Sequence, residues 1–501
     1  MKVYFTEIAR IAAPLLVMCF TLLCFVQHFV PSALKNSRYS KAAAGLSAGM
    51  LTARFVIKEL FLLFGFLSEA IWLSDIDILI FGLAVTAVCG LADLFFAHRF
   101  RLADKTIMLD LSMLFAIGIV MLTRFNPSHA LRQFLIGSSA FAAACVVLML
   151  RPELTAWYSR ISERTAEKNG PSLTGICICA LALSGILMLA LVLLFGKEVN
   201  GSLLGITVFG ITFQPSEPVK AVFILFLSLA LADSEGSRRK QLLVTAAALC
   251  HVFLLVLSRD LGSGGIYFVA LIVLLFIATG KKWIPFAGMA AGLLALSVSA
   301  VLFSHVRVRL QAFTDPWSVI DSKGFQITQS LFAITYGGAF GAGLTRGTPS
   351  SIPFAETDFV FSAVCEELGL ITGVCIILIC LHVFLETSRL SQKSRDTVSR
   401  LYFTGAGTIF IIQTFLTVGG EVRFIPSTGV TLPLVSYGGS SVVSVILLFF
   451  ILQFPVIAKK ERYLISPGSS FAKRVKRQMI PGLNGRMPPG RISHEKDPGS
   501  E

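Results

Sequence analysis

Charge is what this sequence has least of. Of its 501 residues, 14% are Asp, Glu, Lys or Arg and 55% are hydrophobic, whereas a soluble domain carries about 25% charged residues. Together with a mean hydropathy of +0.78, the shortage excludes an ordinary soluble enzyme and a disordered chain. Paired cysteine motifs are missing as well. The ten cysteines lie in apolar stretches and none forms a CxxC pair, which excludes a disulfide-stapled secreted module and leaves them as small buried hydrophobes. The seven histidines show no HExxH-type spacing, so the sequence predicts no structural metal site, and no GxxxxGK[ST] run offers a P-loop.

Long apolar runs are there in abundance. Stretches near 11–30, 59–74, 76–97, 106–123, 134–150, 173–195, 216–232, 242–257, 263–279, 284–304, 359–385, 403–420 and 431–457 are each of a length to cross a bilayer, which takes roughly 17 to 25 residues. Only helices and closed barrels satisfy their backbone in lipid, and long unbroken runs are the helical signature, so the chain reads as an all-α polytopic membrane protein. The charges that remain alternate between the connections. Arg99, Arg101 and Lys105, then Arg151, Arg160, Arg164 and Lys168, then Arg238, Arg239 and Lys240, then Lys281 and Lys282, then Arg389, Lys393, Arg395 and Arg400 fall on one side with the tail from Lys459. By the positive-inside rule these are cytoplasmic and the C-terminus is inside. The net charge of +14 is thereby read as topology, not as nucleic-acid binding. The opposite connections, 196–215, 258–262, 305–358 and 421–430, are richer in Gly, Pro, Ser and Thr.

The first hundred residues admit two readings. Lys35, Arg38, Lys41, Arg54 and Lys58 favour a cytoplasmic amphipathic helix near 41–58 and an outside N-terminus. If 42–57 spans instead, the N-terminus is inside. Residues 11–30 followed by Pro31-Ser32-Ala33 also fit a signal-peptide pattern, against which stand the length of the run and the basic cluster after it. The tail, with ten Lys/Arg against four Asp/Glu and repeated Pro-Gly pairs, has the composition of a disordered segment. The expected organisation is a membrane extension over 1–104, a core over 105–458 with a large extracytoplasmic loop at 305–358, and the basic tail at 459–501.

Ionisable groups in or beside spanning helices are costly and are therefore functional candidates. Glu217 and Lys220, three apart, can pair, and a structural pair fixing helix register accounts for them as well as catalysis does. Asp260 follows Arg259 at a helix mouth, where Arg259 could meet an anion. Asp358 lies where the large loop re-enters the membrane at a helix N-terminus, a place where a carboxylate also caps free N–H groups. On a continuous helix Glu366 would sit about 12 Å deeper and Glu367 near the opposite face, so Asp358 alone is placed to meet something at the outer surface. The glycine-rich stretch Tyr336 to Gly343 and the proline- and glycine-punctuated run Ile425 to Ser441 are backbone that lipid tolerates only where it lines a cavity or is buried in protein.

Several of these runs are recognisable. Phe213 to Lys220 resembles "FQPSELAK", Ser258 to Gly262 resembles "QPDLG", and Phe325-Gln-Ile-Thr-Gln-Ser330 resembles "YQLTQS". Pro353 to Phe359 with Glu366-Glu-Leu-Gly369 is similar to "PEAHTDF…EELG", and Leu432 to Ser441 to "LPLVSYGGSS". In this order the motifs resemble the SEDS family (shape, elongation, division and sporulation; FtsW, RodA, SpoVE), over about residues 105 to 460. The resemblance implies a ten-helix core, here preceded by about three additional helices, that polymerises lipid II into glycan strands at the outer face of the bacterial cytoplasmic membrane. It implies a class B penicillin-binding protein and the cell-wall synthesis machinery as partners, and Asp358 as the catalytic carboxylate. The chemistry would be inverting glycosyl transfer with an undecaprenyl pyrophosphate leaving group. Arg307, Arg309, Lys323 and Arg346, with Arg259 and Arg423, are the cations that could meet the diphosphate, and Mg2+ or Mn2+ could share the task. Asp260, Gln329, Glu366 and Ser436 are further candidates for substrate binding, and Glu217, Lys220, Gly438 and Gly439 for lining the cavity. A lipid-linked precursor transporter and a non-catalytic scaffold are the competing functions. Three departures from the family pattern are Arg259 in place of Pro, the missing Arg-Trp after Asn200-Gly201, and Glu356 in place of His. The last adds a like charge that could raise the Asp358 pKa.

Overall fold

The structure, a computed structural model, describes residues 2–34, 40–156, 172–199, 202–208 and 211–465. The tail beyond 465, the Lys35–Arg38 basic cluster, the charges at Arg160, Arg164 and Lys168, and Asn200-Gly201 lie outside the described residues.

Thirteen membrane-length helices run through it: α1 (Lys2–Leu34), α2 (Ser40–Leu73), α3 (Ile76–Arg99), α4 (Lys105–Phe125), α5 (Pro127–Met149), α6 (Leu173–Phe195), α7 (Ser216–Asp233), α8 (Arg238–Leu257), α9 (Leu261–Thr279), α10 (Trp283–Leu302), α13 (Val360–Gln392), α14 (Thr397–Glu421) and α15 (Gly439–Ile465). Two shorter helices, α11 (Ser304–Thr314) and α12 (Phe325–Gly337), lie in the large loop. Eleven of the thirteen are apolar enough to cross a membrane by length and composition. The other two, α2 and α7, carry Arg54, Lys58, Glu59 and Glu69, or Glu217 and Lys220, which dilute the apolar runs. The chain is a multi-pass membrane protein with three helices ahead of a ten-helix core.

The expected separate amphipathic helix at 41–58 is not there. Helix α2 runs unbroken from Ser40 to Leu73, and Arg54 and Lys58 are wholly buried. Arg54 pairs with Asp110 of α4, and Lys58 meets Asp93 of α3 at 2.5 Å and donates to Ser112 of α4 at 3.1 Å. These charges face protein, so the segment is part of the bundle and not a surface helix. Helix α1 is built in as well, burying Ala13, Val17, Phe20 and Cys24.

The 197–213 connection, expected as loop, forms a three-stranded antiparallel sheet, β1 (Lys197–Val199), β2 (Ser202–Val208) and β3 (Ile211–Phe213), with Val199 opposite Ser202 and Ile206 opposite Phe213. It lies at the same end of the bundle as α11 and α12.

Helix α13 is broken at Gly369, which has φ 86° and ψ 163°. A side chain there would meet Gly341 N at 2.4 Å, so only glycine fits. The glycine stretch fills the break with backbone: Ala342 and Gly343 N–H donate to the carbonyls of Glu366 and Glu367 at 2.8 and 3.0 Å, and Leu370 N–H donates to Gly338 O at 2.9 Å. Irregular backbone at this depth is thus satisfied by protein, as a low-dielectric surrounding requires.

Candidate functional site

Asp358 stands in the turn that leads into α13, its N–H bonded to Phe354 O at 3.0 Å. The sequence leaves open that this carboxylate serves as the helix cap. Instead the cap position is Phe359, with no capping side chain of its own, and the free N–H groups are satisfied from α14. Glu421 Oε2 accepts from Ser362 N–H at 2.8 Å and from Ser362 Oγ at 2.7 Å, and Oε1 accepts from Phe361 N–H at 3.4 Å. Capping by Glu421 releases Asp358 to face a cavity of about 350 Å3 shared with His305, Arg309, Lys323, Gln326 and Gly429.

Burial pushes the Asp358 carboxyl above its ordinary range, and the Arg309 guanidinium opposes that shift. The same burial lowers Arg309, against which the charges of Asp358 and then Asp260 hold it up. Glu356, expected to raise Asp358 by repulsion, is turned elsewhere: its Oε2 is 2.8 Å from His129 Nδ1, and that ring stacks on Tyr437 at 4.4 Å. The shift therefore comes from desolvation. His305 is lowered by burial and by the nearby charges of Arg309 and Arg259, which suits a neutral imidazole.

Gly429 is the hinge of the cavity wall. It adopts φ +70°, and a methyl added to it would lie 3.1 Å from Arg309 Nη2 and 3.5 Å from Asp358 Oδ2. The bare backbone lets both side chains converge on one point. Arg309 is steadied there by donating to Ser427 O at 3.3 Å. Lys323, exposed, donates to Gln311 Oε1 at 3.2 Å across the rim, and Gln326 donates to Pro353 O at 2.8 Å.

The other predicted residues are placed differently. Asp260 caps α9, accepting from Ser263 N–H and Ser216 Oγ, each at 3.1 Å, so both its oxygens are engaged beside the site. Arg259, at φ +60°, reaches this group through its charge on His305. Arg307 projects from the exposed side of α11. Arg423 clamps the end of α11, donating to Phe313 O at 2.8 Å and Thr314 O at 3.0 Å. Arg346 of the large loop is turned to the extension: it pairs with Glu7, donates to Thr6 Oγ1 at 2.6 Å and lies over the Trp72 ring. Glu366 is away from the cavity, accepting from Thr348 N–H at 2.6 Å. Gln329 is half-buried on α12. Ser436 closes a turn by accepting from Leu432 N–H at 2.8 Å. Gln133 of α5 holds that turn from both sides, donating to Ser436 O at 2.9 Å and accepting from Gly438 N–H at 2.8 Å. Gly439 begins α15, where a side chain would meet Ile136 at 2.8 Å. Glu217 and Lys220 pair at 2.7 Å, and Lys220 also donates to Gln413 at 2.8 Å. These buried polar groups join α7 to α14.

Sequence reasoning missed His305, Gln326, Gly429 and the capping role of Glu421. Gln326, inside the quoted Phe325–Ser330 motif, Gly429, inside the Ile425–Ser441 run, and Glu421, an ionisable group at the end of a spanning helix, carried a sequence signal, and His305 carried none. The scattered histidines also conceal a meeting: His28 and His382 come together with Glu386.

Comparison with known proteins shows the family. The sequence pattern of the FtsW/RodA/SpoVE family, described as "Cell cycle protein", matches residues 104–462. The chain is 32% identical over 410 residues to the peptidoglycan glycosyltransferase RodA of Mycobacterium tuberculosis (strain ATCC 25618 / H37Rv), covering 75% of this chain and 82% of that one. It is 34% identical over 333 residues to the probable peptidoglycan glycosyltransferase FtsW of Aliivibrio salmonicida, covering 64% and 76%. Among solved structures it resembles a chain from a study titled "Structural coordination of polymerization and crosslinking by a peptidoglycan synthase complex", with TM-score 0.58, 26% identity and coverage of 72% of this chain and 98% of that one. The protein therefore belongs to the SEDS family of FtsW, RodA and SpoVE.

Proposed function

We propose that this chain is a peptidoglycan glycosyltransferase that lengthens glycan strands from lipid II, with Asp358 as its general base. The observation that carries the reading is the convergence of Asp358 and Arg309 on the bare backbone of Gly429 inside a cavity. Family membership and the printed activities of RodA and FtsW relatives support the reaction class.

The acceptor's GlcNAc 4-hydroxyl gives its proton to Asp358 as its oxygen bonds to the MurNAc anomeric carbon of the donor. The bond from that carbon to the undecaprenyl pyrophosphate breaks, and attack opposite the leaving group inverts the centre. A carboxyl raised by burial is a stronger base once ionised, and a positioned base contributes typically 10²–10⁴-fold. Arg309 and Lys323 are the cations of the cavity best placed to stabilise charge on the departing diphosphate. Its carboxylates are Asp358 and Glu421, and the Glu421 oxygens are occupied at Ser362. A Mg2+ or Mn2+ ion would thus be held by the substrate's phosphates and not by a protein cage.

The site lies at the end of the bundle opposite the basic connections, so the positive-inside rule puts it at the outer face and the C-terminus in the cytoplasm. Outward placement suits a partner that crosslinks the strands as they form, such as a class B penicillin-binding protein; polymerisation and crosslinking are coordinated in the complex named by the structural relative. The test is reconstitution with lipid II and a candidate partner, with Asp358→Asn alongside. Polymer from the wild type alone is expected. Equal polymer from both would remove Asp358 from the chemistry, and lipid II movement without polymer would make the chain a transporter.

A further inference from the structure

Where the extension meets the core at the end away from Asp358, two helices contribute a cluster outside the site described above. His28 of α1 and His382 and Glu386 of α13 each offer one ligand atom, all within 4.8 Å of one another. His28 Nδ1 lies 2.6 Å from Glu386 Oε1, and the two imidazole rings are 5.8 Å apart, edge to face. Behind them Asp110 of α4 holds His382, with Oδ2 at 2.7 Å from Nδ1, and Asp110 pairs with the wholly buried Arg54 of α2.

We infer that His28, His382 and Glu386 form a binding site for a divalent transition-metal ion that fastens the N-terminal extension to the core. The argument turns on one nitrogen. A carboxylate at Nδ1 puts the proton of a neutral imidazole there and leaves a lone pair on Nε2, the arrangement by which a second-shell carboxylate orients a metal-ligating histidine. His382 is wholly buried, and its Nε2 has no hydrogen-bond partner among the described residues. What it faces is the Glu386 Oε1 oxygen, 3.9 Å away. That oxygen is already met by His28 Nδ1 and Arg389 Nη1, so it is the His382 nitrogen that is left in a buried place without a donor or a cation, which is unfavourable. At metal–ligand bonds of ~2.0–2.2 Å a tetrahedral ion needs its ligand atoms about 3.4 Å apart, so His382 Nε2 and Glu386 Oε1 must close by about half an ångström, while His28 Nδ1 must give up its 2.6 Å hydrogen bond to that oxygen and draw back by about 0.8 Å.

The chemistry of the donor set agrees. Two imidazoles and one carboxylate suit zinc, iron or manganese better than a hard oxygen-seeking ion such as calcium. There is a path for entry too, since Glu386 lines a cavity of about 570 Å3 that also reaches Gln27, Asp104, Thr106 and Lys460. Arg389 shares the carboxylate, its Nη1 lying 2.9 and 3.1 Å from the two Glu386 oxygens. The guanidinium therefore competes with the ion and sets its affinity.

The probe is Zn2+ alone, added to full-length protein purified through a histidine-free tag, with bound metal measured by mass spectrometry and Co2+ absorption reporting the ligand field. About one equivalent per chain is expected in the wild type. His382→Asn and Glu386→Gln should weaken binding at least ~100-fold, and Asp110→Asn by ~10–100-fold through the orienting bond. Arg389→Ala should bind more tightly. That last variant keeps the test sound if a ligand variant fails to fold, provided its stoichiometry stays at one equivalent and its Co2+ spectrum lacks the thiolate charge-transfer band that the chain's free cysteines would give on misfolding. Zn2+ should also raise the melting temperature over an EDTA-treated control. Less than about a fifth of an equivalent in the wild type, or affinity unchanged in Glu386→Gln and Arg389→Ala, would overturn the site.

Discussion

Glu421, the last residue of α14, caps the first turn of α13 through Ser362, accepting from both its N–H and its Oγ. The bond joins the helix that follows the Asp358 turn to the helix whose end lines the cavity. Ser330 of α12 completes the knot, 2.6 Å from Ser362 Oγ and donating to Glu421 O at 2.9 Å. The turn that carries Asp358 is thus anchored by Glu421, whose oxygens are occupied at Ser362 and Phe361.

Glu421→Ala should therefore cost stability and activity together. A buried cap left unmade costs about 1–3 kcal/mol, and the loosened start of α13 would misplace Asp358. The melting temperature of detergent-purified protein and its polymerisation rate should both fall, with Glu421→Gln intermediate because an amide can still accept one of the bonds. A variant with lowered activity at wild-type stability would show that Glu421 acts in the chemistry instead.

Asp358→Asn should leave stability nearly unchanged, since the side chain caps nothing, while lowering polymerisation by at least ~100-fold. The pair of measurements separates the two carboxylates of the cavity: Glu421 holds the fold and Asp358 acts within it.

The pH profile tests the link between Asp358 and Arg309. A general base works when ionised, so activity falls as pH drops through the Asp358 pKa. Burial raises that pKa and Arg309 lowers it. Arg309→Gln removes the opposing charge, so the acid limb of the rate profile should move to higher pH, while Arg309→Lys should hold it close to the wild type. A limb that stays put, or moves toward acid, would mean that Arg309 does not govern this carboxyl.

The membrane architecture was legible because its cause is local: a run of apolar residues reports its own environment. Each of the thirteen runs contributes to a helix, although 59–74 is the second half of α2 and the last run turns helical only from Gly439, and the family motifs are short and contiguous. Asp358 could be picked out by its place at the mouth of a helix. What lay hidden depends on distant pairs. Nothing near Arg54 or Lys58 says that Asp110 and Asp93 await them, so an ordinary charge count read the segment as a surface helix. Likewise nothing near Asp358 says that the cap comes from Glu421, or that Glu356 turns away to His129. The break at Gly369 is a further case, intelligible only once the glycine stretch is seen to fill it.

Gly429→Ala probes the cavity wall directly. The residue's φ of +70° is strained for any side chain, and the added methyl would press on Arg309. A strained position of this kind costs of order 1–3 kcal/mol. Asn tolerates the left-handed region better than other side chains, so Gly429→Asn should recover part of the stability without recovering activity, because its bulk still parts Arg309 from Asp358. Recovery of both in the Asn variant would make the backbone angle, and not the open space, the reason for glycine.

Lys58 decides whether the extension is an integral part of the bundle. Its ammonium group is wholly buried and is shared by Asp93 at 2.5 Å, Glu59 at 2.8 Å and Ser112 at 3.1 Å, so one side chain of α2 ties together α3 and α4. Removing one partner of a buried pair leaves an uncompensated charge and typically costs 3–5 kcal/mol, while replacing both partners by apolar groups is often neutral. Lys58→Leu should therefore lower the melting temperature markedly, and adding Asp93→Leu should restore most of it, Glu59 being the less buried of the two acids and able to turn toward water. A Lys58→Leu protein as stable as the wild type would mean that α2 rests against the core without depending on it.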